Sequence, residues 1–310
     1  MKVQGYKLKI DYKKKSDSHL FKNIRIDEEM FKNQWKAPSY ITNLIITESS
    51  FLDSNELLIK SLNLLNCKHI VWFLKEDNSL ENIEKFTKEI IDSDINSMQL
   101  IVKYKSFYFS DSFGDLIIPN KIIKKSVVYN APFNKNFENK IIFTKDELIA
   151  TTFKSTTDFI VNFQLFHESL SFNTYFNRKL YLGPHGEIKN APECEESFGY
   201  IQDIDSPDQL KDITQSPEFQ KYWFVHKEIL DVCKDCEFRH MCVDNRLPHK
   251  REENEWYHKI ECNYNPYIAK WEGEEGYKSL EECGVISNEI EFSIDHDKIA
   301  KINKELWSEE

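Results

Sequence analysis

Cys233, Cys236, Cys242 and Cys262 stand within 30 residues, in the frame C-x2-C-x5-C-x19-C. A close thiol pair, a third thiol one short loop on and a fourth returning from a distance is how a single chain wraps a metal centre. Thiolates are soft ligands. Zinc and iron–sulfur clusters both accept four of them, and spacing alone does not choose between the two. The opposing reading is four ordinary core thiols. Against it, Asp231, Lys234, Asp235, Glu237, Arg239, His240, Asp244 and Asn245 crowd the first three sulfurs, whereas free structural cysteine favours apolar surroundings. Four cysteines already close a four-coordinate site, so His240, inside the C-x5-C loop, and the more distant His249 and His258 are read as bystanders. Arg239, Arg246 and Lys234 either donate hydrogen bonds to anionic sulfur or belong to a solvated loop.

The other thiols carry less. Cys67, between a helical stretch and a strand, reads as core; Cys194, in Pro192-Glu193-Cys194, as a lone thiol; and Cys283, beside Gly284, as a helix-end thiol. No catalytic residue emerges, and enzyme activity is left open. His167 and Glu168 are adjacent on an expected helix, where sequence neighbours do not face each other. The 52 acidic residues single out no acid–base pair.

Composition narrows the classes. The chain has 310 residues, 40% of them hydrophobic, enough for a sizeable core in one large domain or two smaller ones. The net charge of −11 argues against a broad nucleic-acid footprint and reduces the Lys13-Lys14-Lys15 run to a solvated loop. Only Gly5 and Gly114 precede Gly183, so no glycine-rich phosphate cradle exists in the first 180 residues. No apolar run approaches the roughly 18 residues of a membrane span. The N-terminus has no apolar stretch after its charges, so a cytoplasmic protein is expected. In a reducing cytosol seven cysteines favour metal over disulfides.

The elements that must position the cysteines fall into two textures. Strands are expected at Ile41–Thr47, Lys68–Leu74 and Met98–Tyr104, with weaker ones near Leu116–Ile118, Ser126–Tyr129, Lys140–Phe143 and Phe159–Phe163. Between them, Asp53 or Ser54 caps a helix carrying Leu58, Leu62 and Leu65 on one face, and Ser79 caps another carrying Ile83, Phe86 and Ile90. This alternation predicts an α/β fold, with a parallel sheet like an incomplete (β/α) barrel over residues 1–170. A metal-binding domain follows over residues 171–310. It opens on a hairpin, Lys179–Leu182 and Glu187–Lys189 around Gly183-Pro184-His185-Gly186. Ser216-Pro217-Glu218 then starts a helix bearing Phe219, Trp223 and Val225. From Cys233 to Cys283 the chain reads as irregular, a segment that a metal would staple.

From about Asn173 to Trp307 the sequence resembles the SPASM domain, the C-terminal iron–sulfur module of many radical-SAM peptide maturases. NTYFNRKLYLGPHGEIKNAPE, VCKDCEFRHMCVDNR, ECNYNPYIAKW and EECGV carry the likeness, and they look like the grasp-with-SPASM peptide maturase family. The resemblance implies one auxiliary [4Fe–4S] cluster on Cys233, Cys236, Cys242 and Cys262. It also implies a ribosomal precursor peptide and an ATP-grasp ligase as partners. Two departures limit it. Where two-cluster members have a further cysteine, four residues past the third, this chain has Arg246, and Asn173–Lys179 holds none. The C-x3-C-x2-C that binds a radical-SAM cluster is missing, since residues 1–190 contain only Cys67. Radical chemistry of that kind is therefore not expected.

Three functions follow from these readings. The first is an accessory protein for maturation of a ribosomally made, post-translationally modified peptide. It would bind precursor or ligase, with Trp223, Trp256, Tyr257, Tyr264, Tyr267 and Trp271 forming either a peptide surface or the packing around the metal. The second is a scaffold with a zinc staple. The third is an iron–sulfur redox or electron-transfer protein acting on a peptide.

Overall fold

Apolar residues alternate along His69–Leu74, so that Ile70, Trp72 and Leu74 are buried while their neighbours are less so. This is strand β2 in a computed structural model that describes residues 40–47, 56–74, 80–147, 159, 161–252, 255–287 and 292–307. The chain divides into two units, Met1–Trp35 and Lys36–Glu310, and the described residues all belong to the second. The Lys13–Lys15 run and the caps expected at Asp53, Ser54 and Ser79 lie outside them.

The order is β1 (Asn43–Ile46), α1 (Glu56–Leu64), β2 (His69–Leu74), α2 (Leu80–Glu89), β3 (Ser97–Lys103), α3 (Asp111–Ile117), β4 (Ile123–Tyr129), β5 (Lys135–Phe137), β6 (Ile141–Phe143), α4 (Phe163–Ser169), β7 (Lys179–Leu182), β8 (Ile188–Lys189) and α5 (Pro207–Gln215). The eight strands form one sheet in the order β5-β6-β4-β3-β2-β1-β7-β8. The six inner strands run parallel. β5 and β8 are antiparallel edges. The fold is therefore α/β with a large, mostly parallel sheet, open between β5 and β8 among the described residues.

The helical faces fall where their periodicity placed them. Leu58 and Leu62 of α1, with Leu65 just beyond it, are buried, as are Ile83 and Phe86 of α2 with Ile90. The Phe86 ring meets Trp72 edge-on at 5.0 Å. α1 ends with Asn66 in the left-handed region (φ 54°) and the Cys67 N–H donating to Leu62 at 2.9 Å. Asparagine tolerates that conformation better than other side chains, which suits it to close a helix.

Four expectations are corrected. Leu116–Ile118 belongs to the end of α3: Ser110 caps that helix by accepting from the Phe113 N–H, and the i,i+4 pair Phe113 and Ile117 is buried. Around Phe163 there is α4 instead of a strand, because Asn162 accepts from the Leu165 N–H at 2.7 Å and caps a helix. Ser216-Pro217 opens only a series of turns, and the helix starts ten residues earlier, at the other Ser-Pro, with Ser206 as cap and Pro207 in its first turn. Cys283 lies in the turn before a strand, not at a helix end.

The expected hairpin is β7–β8. Gly186 has φ +86°, a backbone conformation that residues with a Cβ rarely adopt, which suits glycine to the turn. β7 also pairs in parallel with β1, Asn43 opposite Lys179 through Ile46 opposite Leu182. The main core continues into Leu180, Leu182, Ile188, Leu210 and Phe219. Sheet and core thus draw on both sides of residue 170. Beyond them the chain forms small hairpins: β9 (Pro248–Glu252) with β10 (Glu255–His258), β11 (Tyr264–Asn265) with β12 (Lys270–Trp271), and β13 (Val285–Ser287) with β14 (Phe292–Ile294). A last helix, α6 (His296–Trp307), covers a small core of Ile268, Leu280, Cys283, Val285, Ile299 and Ile302. Among the described residues no helix is long and apolar enough to cross a membrane.

Candidate metal centre

The first cysteine is presented by a strained turn. The Cys233 N–H donates to the Asp231 carbonyl at 2.7 Å, across Val232 at φ 66°, ψ −52°. A γ-turn of positive φ is rare, and for a β-branched residue it is an outlier that surroundings must enforce. Here they do. The Asp231 N–H bonds the Trp256 carbonyl at 2.7 Å. The Asp231 carboxylate accepts from Lys234 at 2.7 Å and Arg251 at 3.2 Å. A 3-10 turn, Cys233–Asp235, then brings in Cys236. The Cys242 carbonyl is anchored by the Thr174 hydroxyl at 2.7 Å. Cys262 returns between β10 and β11.

All four cysteines line one cavity of about 50 Å³. A single water needs roughly 10–15 Å³ on the same footing, so the space exceeds that of one small ion. The four thiols are unbridged and partly exposed. Burial raises the Cys236 and Cys262 thiols, and it pushes Cys242 up to about 12 despite the nearby Lys227. Without a metal ion among them, the Cys236, Cys242 and Cys262 thiols hold their protons at neutral pH. Metal binding there releases protons.

The wall of the cavity is charged. Lys227, in a 3-10 turn at Lys227–Ile229, donates to Asp244 at 2.6 Å, and both side chains are about 95% buried. Arg246 forks onto the same carboxylate, Nη2 at 2.7 Å and Nε at 3.0 Å. It also reaches the Ile260 carbonyl at 2.7 Å and the Cys233 sulfur at 3.9 Å. Burial alone would raise the Asp244 carboxyl, but these two cations hold it well below the usual carboxylate range. His258, buried on β10, has Nδ1 3.3 Å from the Leu247 carbonyl and Nε2 3.4 Å from the Lys227 ammonium. Burial and Lys227 keep it neutral, so Nδ1 donates and Nε2 accepts. Lys227, Arg239 and Arg246 thus line the cavity together with Asp231 and Glu261, and Asp244 joins Lys227 to Arg246.

A second donor set overlaps the first. Cys233, Asp244 and His258 bring one ligand atom each within 4.8 Å of one another. The structure thus offers several cysteines and a Cys–Asp–His triad to a metal.

The remaining predicted residues lie elsewhere. Cys67 is in the main core, and Cys194 packs with Phe176 and Ala191. Cys283 accepts from Asn265 at 3.3 Å. His240 pairs with the Ser169 hydroxyl at 3.0 Å and faces Glu228, and His249 lies against the Tyr257 ring. Arg239 lines the cavity, bonding the Cys236 carbonyl at 3.1 Å, whereas Lys234 is taken by Asp231. Of the six aromatics, Trp223, Tyr257, Tyr264 and Trp271 are buried, so these four are packing and not a surface. Tyr264 bonds the Glu237 carboxylate and Tyr267 bonds Asp235 at 3.1 Å, which ties β11 and its flank to the C-x2-C loop.

Sequence reasoning missed Lys227, named Asp244 only among the polar residues crowding the sulfurs, and set His258 aside. Asp244 follows the third cysteine by two residues and could have been found there. Lys227 carries no signal in His226-Lys227-Glu228; only folding buries it.

Models of known protein families, curated proteins and solved structures were each compared with the chain, and none matches it.

Proposed function

We propose that this protein is an accessory factor for maturation of a ribosomally synthesised, post-translationally modified peptide, built on a SPASM-like domain that carries one [4Fe–4S] cluster. Cys233, Cys236, Cys242 and Cys262 hold the cluster. A bound cluster supplies a rigid, anionic cross-link and a one-electron couple. The chain's own residues do the rest. Lys227 and Arg246 offset the charge, Arg246 approaches the Cys233 sulfur, and the Asp231 turn fixes where that sulfur points. The single observation that carries this reading is the convergence of four cysteines, spread over 30 residues, onto one cavity.

The precursor peptide and an ATP-grasp ligase are the partners in this proposal. The ligase supplies the chemistry through an acyl-phosphate, and the cluster-bearing region docks the peptide or the ligase. Radical-SAM chemistry has no place in it, because Cys67, the one cysteine before residue 190, is fully buried in the sheet core.

Anaerobic purification with iron, sulfide and zinc assay is the test. About four iron and four sulfide per chain are expected. One zinc and no sulfide would replace the cluster by a zinc staple, and bare sulfurs would remove the reading altogether. For the partners, co-expression of ligase and precursor with and without this chain is decisive: full product without it defeats the accessory role.

A further inference from the structure

Two donor sets compete for Cys233. One is the four-cysteine centre proposed above, on which this inference rests. The other is the Cys233–Asp244–His258 triad, whose ligand atoms lie within 4.8 Å of one another. The triad has much of what a zinc-type site needs. Nδ1 of His258 faces the Leu247 carbonyl, which leaves the Nε2 lone pair directed inward, and Nε2 is 3.5 Å from Asp244 Oδ2. That separation is close to the edge of a tetrahedral site with bonds of about 2.0–2.2 Å.

Arg246 Nη2 already bonds Asp244 Oδ2 at 2.7 Å and lies 3.9 Å from the Cys233 sulfur, but the cation close to both that oxygen and His258 Nε2 is Lys227. Its ammonium lies 2.6 Å from Asp244 Oδ2 and 3.4 Å from His258 Nε2. A divalent ion bonded to both atoms would sit within about 4 Å of that ammonium. The lysine side chain is only 4% exposed, so it has no route to solvent. We propose that Lys227 acts as a built-in plug: it keeps single metal ions out of the Cys233–Asp244–His258 corner and so reserves Cys233 for the four-cysteine centre.

The test is anaerobic reconstitution of the metal-free full chain with Co2+, read by cobalt-edge X-ray absorption and by the optical spectrum. Wild type is expected to show an all-sulfur first shell. Lys227→Met is expected to gain about one or two nitrogen or oxygen ligands, and Lys227→Met/His258→Gln to lose the nitrogen again. Should Lys227→Met not fold, Lys227→Gln removes the charge and keeps a polar end. Nitrogen or oxygen ligands already present in wild type would overturn the proposal. So would identical all-sulfur shells in wild type and the Lys227 variants, and that result leaves the four-cysteine reading standing. A wild-type protein that takes up neither cobalt on sulfur nor, from iron and sulfide, a cluster would sink the four-cysteine reading itself, and this inference with it.

Discussion

The sheet and the cysteine-bearing hairpins hold together by different means. Around β2 and β3 the side chains that decide the structure are apolar and fully buried, among them Trp72, Phe86 and Leu100. Each such residue contributes a few kcal/mol through burial and packing. Past Cys233 the strands are two to five residues long and paired only as isolated hairpins, which are marginal in water. Their own apolar core is six residues. What fills the difference is polar: a thiol-lined cavity, a buried Lys–Asp–Arg network and tyrosines bonded to the C-x2-C loop. A region organised this way is expected to depend on a ligand, whereas the sheet is not.

Removing the metal should break that comparison most visibly. Structural zinc sites contribute about 10–16 kcal/mol to small domains, and a four-thiolate centre here is expected to act on that scale. Cys262→Ser, or chelation of the loaded protein, should lower hydrogen-exchange protection across residues 227–287 while amides of β3 stay protected. Uniform loss, or none, would mean that the two regions are not separable.

Two substitutions of equal size then distinguish the regions. Trp72→Ala opens a cavity beside Phe86 and should cost about 3–5 kcal/mol, lowering the thermal midpoint with metal content unchanged. Asp244→Asn leaves Lys227 and Arg246 buried without their carboxylate, again about 3–5 kcal/mol. Its expected signature is faster metal loss to a chelator. If both variants lowered the midpoint alone, the charged wall would be ordinary scaffolding.

How much of this was legible follows the same division. Burial alternates along β2 and recurs every three or four residues on α1 and α2, and β1 and β3 are short apolar runs, so a local window suffices to find them. The four cysteines were equally legible, because metal ligation restricts residue type and spacing. Lys227 was not: it is six residues from Cys233 and seventeen from Asp244, and nothing local distinguishes it from a solvated lysine. The parallel pairing of β7 with β1 joins residues more than 130 apart and is set by tertiary packing alone. Short elements also misled, since apolar triplets such as Leu116–Ile118 fit a strand or a helix until a cap decides.

Alkaline pH offers a smaller test, specific to the metal-free state. The folded-state thiols of Cys236, Cys242 and Cys262 are raised, Cys242 to about 12, while unfolded thiols titrate near 8.5. The folded chain thus binds more protons than the unfolded one between those values, and stability falls as pH rises through that window. Metal-free protein should lose about 1 kcal/mol by pH 9.5 through Cys242, and further stability through the other two thiols, seen as a falling thermal midpoint from pH 8 upward. Loaded protein has no thiol protons to lose and should lack this decline. Parallel curves for the two forms would show that the sulfurs do not bind the metal.

The smallest effect contrasts two identical dipeptides. Ser206-Pro207 and Ser216-Pro217 both place a serine oxygen to accept an N–H three residues on, from Gln209 at 3.4 Å and from Phe219 at 3.3 Å. Only the first begins a helix, α5, which buries Leu210 in the main core and packs on α1. Loss of a helix cap costs about 1 kcal/mol. The two serines differ in what depends on them. Ser206→Ala should destabilise the sheet region by that amount, because the Gln209 N–H in the first turn of α5 loses its side-chain acceptor. Ser216→Ala removes one bond from a turn whose backbone is already held by the Gln220 N–H on the Ser216 carbonyl at 3.1 Å, and it should cost less than half as much. Neither should alter metal retention, because both serines sit on the sheet side of the molecule, where burial alone does the holding. If Ser216→Ala released metal, the turns after α5 would belong to the ligand-dependent region, and its boundary would move back from Lys227 to Ser216.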